Sequence, residues 1–168
     1  RKGRCCRFDE NDARALGRTA SGVRGINIDE DDEVIGMIAY DPTAEDAQAH
    51  SLLVVSEHGY GKRSDFDEYR KTNRGGKGVK TLNITEKTGE LVAMKNVTDE
   101  NDLMIINRSG ITIRMAVADI KVAGRATQGV KLINIKDGDS IAAISAVNKS
   151  EEETSDQQAE PAQEQTNE

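Results

Sequence analysis

One frame of residues occurs three times in this 168-residue chain, and no gap is needed to superimpose the copies. It reads GRCCRFDENDARALGRTASGVRGINI (Gly3 to Ile28), GYGKRSDFDEYRKTNRGGKGVKTLNI (Gly59 to Ile84) and GITIRMAVADIKVAGRATQGVKLINI (Gly110 to Ile135). The shared pattern is G-x3-R-x4-[DE]-x5-R-x3-G-V-[KR]-x-[IL]-N-I. Repeats of about 50 residues mark arrays such as propellers, in which one supersecondary unit is copied. A repeated apolar position needs only a core to explain it. A repeated cation needs an explanation outside the core. Such slots include Arg7, Arg63 and Arg114; Arg18, Arg74 and Arg125; and Arg24, Lys80 and Lys131.

Within a unit the periodicity is that of strands. GVKTLNIT, LVAMKNV, LMIIN and ITIRMAV are short, β-rich runs between Gly78 and Gly129, separated by polar turns. The preceding unit supplies GVRGINID, EVIGMIAY, SLLVVSEHG and YGKRSDF, and IAAISAV is the last apolar run. No helix of more than a couple of turns is expected. The pattern predicts an all-β, propeller-like fold of four-stranded blades, about three of them, over residues 1–150. The first repeat begins almost at once after Arg1, so the chain reads as the C-terminal part of a larger ring. With 3% aromatics and no Trp, the core must come from Ile, Val, Leu, Met and Ala.

The formal net charge of −7 hides a division along the chain. Seven of the 30 acids fall in residues 151–168, which hold no Lys or Arg; the other 23 balance the 23 bases of residues 1–150. The composition of 151–168 predicts a disordered acidic tail, able to compete for a basic surface in the same chain. No apolar run approaches membrane-spanning length and no signal peptide is visible, which predicts a soluble intracellular protein.

The richest stretch is Tyr69 to Lys80, YRKTNRGGKGVK, with Arg70, Lys71, Arg74, Lys77 and Lys80 interleaved with three glycines. Glycines let a backbone approach a phosphate, and the cations neutralise it. Lys62 and Arg63 precede it, and Arg18, Arg24, Arg125 and Lys131 hold the matching slots elsewhere. Spaced around a propeller rim, they would form a positive arc suited to a bent duplex, reading little sequence. A structural alternative stands beside this. Each strand arginine is followed five residues later by an acid (Asp12, Glu68 or Asp119), so a salt bridge would also explain the slot. Other motifs carry little: His50 and His58 lack metal-ligand spacing, GYGKR is no phosphate loop, DEDDE lacks a calcium loop's central glycine, and Cys5-Cys6 reads as two reduced thiols. No catalytic set, metal site or cofactor site is evident.

RALGRTASGVRGI, GYGKRSDFDEYRKTNRGGKGVKTLNIT and VAGRATQGVKLINI closely resemble the last three repeats of the DNA gyrase A C-terminal domain, across residues 1–150. The resemblance implies a six-bladed β-pinwheel whose blades exchange strands and whose basic rim wraps duplex DNA. It implies a bacterial, cytoplasmic, nucleoid-associated topoisomerase that adds negative supercoils. The full heterotetramer would pair two copies of gyrase A with gyrase B, and ATP and Mg2+ would bind through that partner. The family's hallmark box, QRRGGKG, belongs to its first blade. Asn73-Arg74-Gly75-Gly76-Lys77-Gly78 resembles that box, with Thr72 and Asn73 in place of its leading Gln-Arg. Tyr69 lies in a repeat loop and takes no catalytic role. The corresponding domain of topoisomerase IV and a propeller-type protein-interaction module are the alternatives.

Overall fold

The structure is a computed structural model describing residues 1–149; the expected acidic tail lies outside the described residues. Among the described residues there are nine strands: β1 (Arg4–Cys5), β2 (Ser51–Ser56), β3 (Tyr60–Ser64), β4 (Val79–Lys80), β5 (Leu91–Val97), β6 (Asn101–Asn107), β7 (Thr112–Ala116), β8 (Val130–Lys131) and β9 (Ile141–Asn148). The described helical segments are three-residue 3-10 turns, including Phe66–Glu68 and Val117–Asp119. The all-β reading therefore holds.

The sheets do not coincide with the sequence repeat. The four-stranded sheet runs β5-β2-β3-β8 and the three-stranded sheet β7-β6-β9, while β1 pairs with β4. All pairings between these strands are antiparallel. β2 and β3 form a hairpin, β5 follows it, and β8 arrives from the next repeat. Each G-V-Lys strand thus completes the sheet of the repeat before it: β4 on β1, β8 on β3.

β2 shows why the array packs. Its LLVV run is buried on both faces, as a blade strand between two neighbours must be. Leu53 and Val55 join Val97, Leu103, Ile105, Val117, Ile120, Ile141 and Ile144 in one cluster. Leu52 and Val54 face the other way, into a second cluster with Phe66, Tyr69, Leu82 and Leu91. Truncating a fully buried leucine such as Leu53 to Ala costs about 2–5 kcal/mol in such cores.

Three expected strand regions differ. Residues 22–29 and 33–40 carry no strand, and of GVKTLNIT only Val79–Lys80 is one. Among the described residues no neighbouring strand completes a ladder with 33–40, so Ile35, Ile38 and Tyr40 contribute packing instead. After Lys80 the chain turns its bonds to neighbouring repeats. Thr81 N–H donates to Gly3 O (2.8 Å) and Asn83 N–H to Thr127 O (3.1 Å).

The frame glycines have a specific duty here. Gly78 and Gly129 lie at φ +69° and +77°, where an L side chain is strained. A Cβ on Gly129 would meet Gly61 O at 2.5 Å, and one on Gly78 would collide with Cys5 O. Gly22 has the same backbone sign but open space around it. Gly129→Ala should therefore destabilise by more than about 3 kcal/mol, and Gly22→Ala by only about 1–2 kcal/mol. Urea unfolding of the two variants checks this; equal losses would contradict it.

Candidate nucleic-acid interface

The repeated arginines and lysines fall into three groups once their partners are located. The strand arginines are structural. Arg7 Nη1 donates to Phe66 O (2.8 Å) and Tyr69 O (3.1 Å), and Arg63 Nε donates to Ile120 O (3.0 Å). Tyr69 and Ile120 hold the same position in the frame, so one interaction is made twice. In both cases the arginine of one repeat holds the carbonyl that closes the 3-10 turn of the next repeat's connection. Backbone bonds run alongside, from Thr72 N–H to Arg7 O (2.9 Å) and from Ala123 N–H to Arg63 O (2.8 Å).

The acids five residues downstream are not the ion partners. Arg7 lies 3.8 Å from Asp67, Arg63 pairs with Asp99, and Arg114 pairs with Asp102 at 2.7 Å. A spacing of five residues along the chain carries the acid into the connection, whereas the arginine side chain reaches across to another element. Asp99 and Asp102 bear no repeat signal, which is why sequence spacing misses them.

Lys62 and Arg63, expected at the DNA surface, are 0% and 7% exposed and are removed from it. Lys62 Nζ donates to Gly124 O (2.7 Å) and Arg125 O (2.5 Å). Its slot in the first repeat holds Cys6, whose thiol lies 3.9 Å from Asn73 O, the equivalent of Gly124 O. Burial pushes the Lys62 ammonium down from 10.5 to about 8, with Glu68 opposing and Arg125 reinforcing the shift.

The loop arginines form a second clamp. Arg74 donates to Asp12 O (2.9 Å) and Arg24 O (2.6 Å), and Arg125 donates to Lys80 O (2.8 Å). Each loop arginine thus reaches the backbone of the basic residue one repeat earlier. The glycine loop is occupied too: Gly75 N–H donates to Gly25 O (2.8 Å), and Gly76 O accepts from Asn27 N–H (2.9 Å). Those backbone groups serve the junction and are not free for a phosphate.

A third group remains at the surface. Arg18, Arg24, Arg70, Lys77 and Lys131 are exposed, and no hydrogen bond or ion pair engages their side chains among the described residues. Lys71 is also exposed but pairs with Asp9 (2.5 Å), which holds that carboxyl at about 2. Lys80 Nζ donates to Asn83 Oδ1 at 3.4 Å. Arg4, which sequence reasoning passed over because its slot holds Tyr60 and Ile111 elsewhere, fastens the same connection through Lys77 O and Gly78 O, both at 2.9 Å. Among the described residues no group of three or more His, Cys, Asp or Glu could hold a metal ion. Among the described residues no helix is long and apolar enough to cross a membrane.

These features define a strand-sharing β-propeller repeat whose connections are clamped to the preceding unit and carry outward-facing cations. The chain belongs to the family described as DNA gyrase C-terminal domain, beta-propeller, which it matches over residues 1–41, 50–98 and 101–148. It is 47% identical over 146 residues to the DNA gyrase A protein of Staphylococcus epidermidis, covering 87% of this chain and 16% of that protein. Against DNA gyrase A of Staphylococcus aureus (strain MRSA252) it is 46% identical over 154 residues, 91% of this chain and 17% of that protein. The chain thus spans about a sixth of these relatives' length. Two solved structures share the fold. A DNA gyrase A C-terminal domain superimposes with a TM-score of 0.75 at 24% identity, covering 86% of this chain and 47% of that one. The C-terminal domain of a DNA topoisomerase IV gives 0.75 at 19% identity, covering 88% and 44%.

The Lys62 ammonium makes stability depend on pH with a definite sign. Its folded value lies below its unfolded one, so between about 8 and 10.5 the unfolded chain binds more protons. Stability should therefore gain up to about 1.4 kcal/mol per pH unit from this group across that window. Lys62→Met should lack the gain. Urea unfolding of both proteins at about pH 8 and pH 10 tests this, and parallel profiles would contradict it.

Proposed function

We propose that the chain binds and wraps duplex DNA through its exposed connection cations, as the C-terminal domain of a gyrase A protein. In the full enzyme this wrapping supports ATP-dependent negative supercoiling. The partners are duplex DNA, gyrase B and a second copy of gyrase A, with ATP and Mg2+ entering through gyrase B. The observation that carries the reading is the third group of cations. Arg18, Arg24, Arg70, Lys77 and Lys131 lie within the repeat frame, yet their side chains make no hydrogen bond or ion pair among the described residues. Structural duty accounts for Lys62, Arg63, Arg74 and Arg125 and leaves these five unexplained. The names of the sequence relatives support the same reading.

Cations spaced along an exposed rim meet phosphates, and such interactions fix position without reading bases. Their affinity comes from released counterions and falls linearly on a log–log salt scale, with a slope near −0.9 per neutralised phosphate. Two duplexes of unrelated sequence should therefore bind within a few-fold of each other. Both affinities should fall steeply between about 50 and 200 mM salt. Replacing Arg70 and Lys77 by Ala should flatten the slope by about 1 for each phosphate no longer neutralised and leave the unfolding midpoint unchanged. Fluorescence anisotropy against salt is the measurement. A salt-independent affinity, or a strong preference for one duplex, would overturn the proposal.

A further inference from the structure

Where the second repeat meets the third lies an open cleft of about 460 Å3 that the connection loops do not explain. Lys87, Lys131, Lys136 and His58 line it, with Tyr60 in its wall. Lys131 is opposite Tyr60 in the β3–β8 pairing, so the cleft sits on the seam where one repeat completes the sheet of the other. The Lys87 ammonium lies 5.5 Å from the centre of the Tyr60 ring, whose face attracts cations and fixes the amine at the cleft. His58 Nδ1 donates to Glu86 O at 3.1 Å, which commits that nitrogen as the donor. The side chains of Lys131 and Lys136 have no hydrogen-bond or ion-pair partner among the described residues.

The first repeat shows a version of this seam whose cations are engaged: Arg4, in the slot of Tyr60, donates to Lys77 O and Gly78 O, and Lys80, in the slot of Lys131, donates to Asn83 Oδ1. Lys2 stands where His58 does, and Asp31 stands where Lys87 does; the two form an ion pair. Thr85 takes the place of Lys136. The second seam has Lys87 in place of that acid and Lys136 in place of Thr85. Asp137 and Asp139 also line the cleft as carboxylates, but neither forms an ion pair with the three lysines among the described residues; Asp139 instead accepts from Ser109 Oγ (2.8 Å) and Ser140 N–H (2.8 Å).

We propose that this cleft is a phosphate-binding site that seats a backbone phosphodiester of the duplex, with Lys87, Lys131 and Lys136 as its cations. The inference rests on the proposed DNA binding and extends the binding surface past the connections onto the blade turn of the second repeat. Lys131 joins the two, since it is both a frame residue and part of the cleft. Lys87 and Lys136 are exposed, so removing their amines leaves the core untouched.

The test is the salt dependence of duplex affinity for the whole chain and for Lys87→Ala/Lys136→Ala. The variant should show a log–log slope shallower by about 0.9 for each phosphate it no longer neutralises, with the thermal midpoint unchanged. Lys87→Arg/Lys136→Arg should restore the slope. A variant slope equal to that of the unmodified chain, in a protein that binds duplex with normal salt dependence, overturns this inference alone. No salt-dependent duplex binding by the unmodified chain overturns the proposed function and this inference together.

Discussion

The structure depends on a guanidinium placed against a backbone carbonyl one repeat away. Arg7 and Arg63 hold the carbonyls that end the next 3-10 turn, and Arg74 and Arg125 hold carbonyls of the repeat before. A charged donor on a carbonyl is worth about 1.5–3 kcal/mol, more than a neutral pair, and it replaces a bond that a turn end would otherwise leave unmade. Because the interaction recurs with the repeat, each blade is tied forward through its strand and backward through its connection. The pairing of β4 with β1 and of β8 with β3 lies on the same seam, and the left-handed Gly78 and Gly129 allow the close approach it needs. Loosening one clamp would free a connection and the edge of a sheet with it.

That architecture separates two duties that one residue type performs. A basic side chain that is buried, with its donors on carbonyls, is withdrawn from a phosphate at the surface. Arg63 and its neighbour Lys62, at 7% and 0% exposure, are withdrawn in this way. Arg70 and Lys77 sit in the connection those clamps hold rigid, with their own side chains free of partners among the described residues. The scaffold cations thus set the position of the surface cations. Connections already held in place suit a bent duplex, because the backbone that carries these cations need not be ordered when it binds.

Much of this was legible in the residues. The ungapped frame and its period announced a propeller-like array, and the β-rich runs at 51–56, 91–97 and 141–148 are strands in the structure. A structural duty for the strand arginines was also visible as an alternative. Their partners were not, since a carbonyl leaves no mark in a sequence and Asp99 and Asp102 lie outside the repeat. The short reach of GVKTLNIT as a strand was hidden for a related reason: β propensity describes a residue, but a strand needs a neighbour. Lys62 was misjudged because a basic residue beside Arg63 reads as surface charge. Only the fold shows that its alternating position points the amine at Gly124 and Arg125.

The separation of scaffold from surface is the central claim, and Arg63→Met compared with Arg70→Met tests it most directly. Unfolding free energy and duplex affinity against salt should be measured on the same preparations. The account predicts that Arg63→Met loses stability while the folded fraction keeps its salt slope, and that Arg70→Met keeps stability and loses slope. A loss of slope without a loss of stability in Arg63→Met would contradict it.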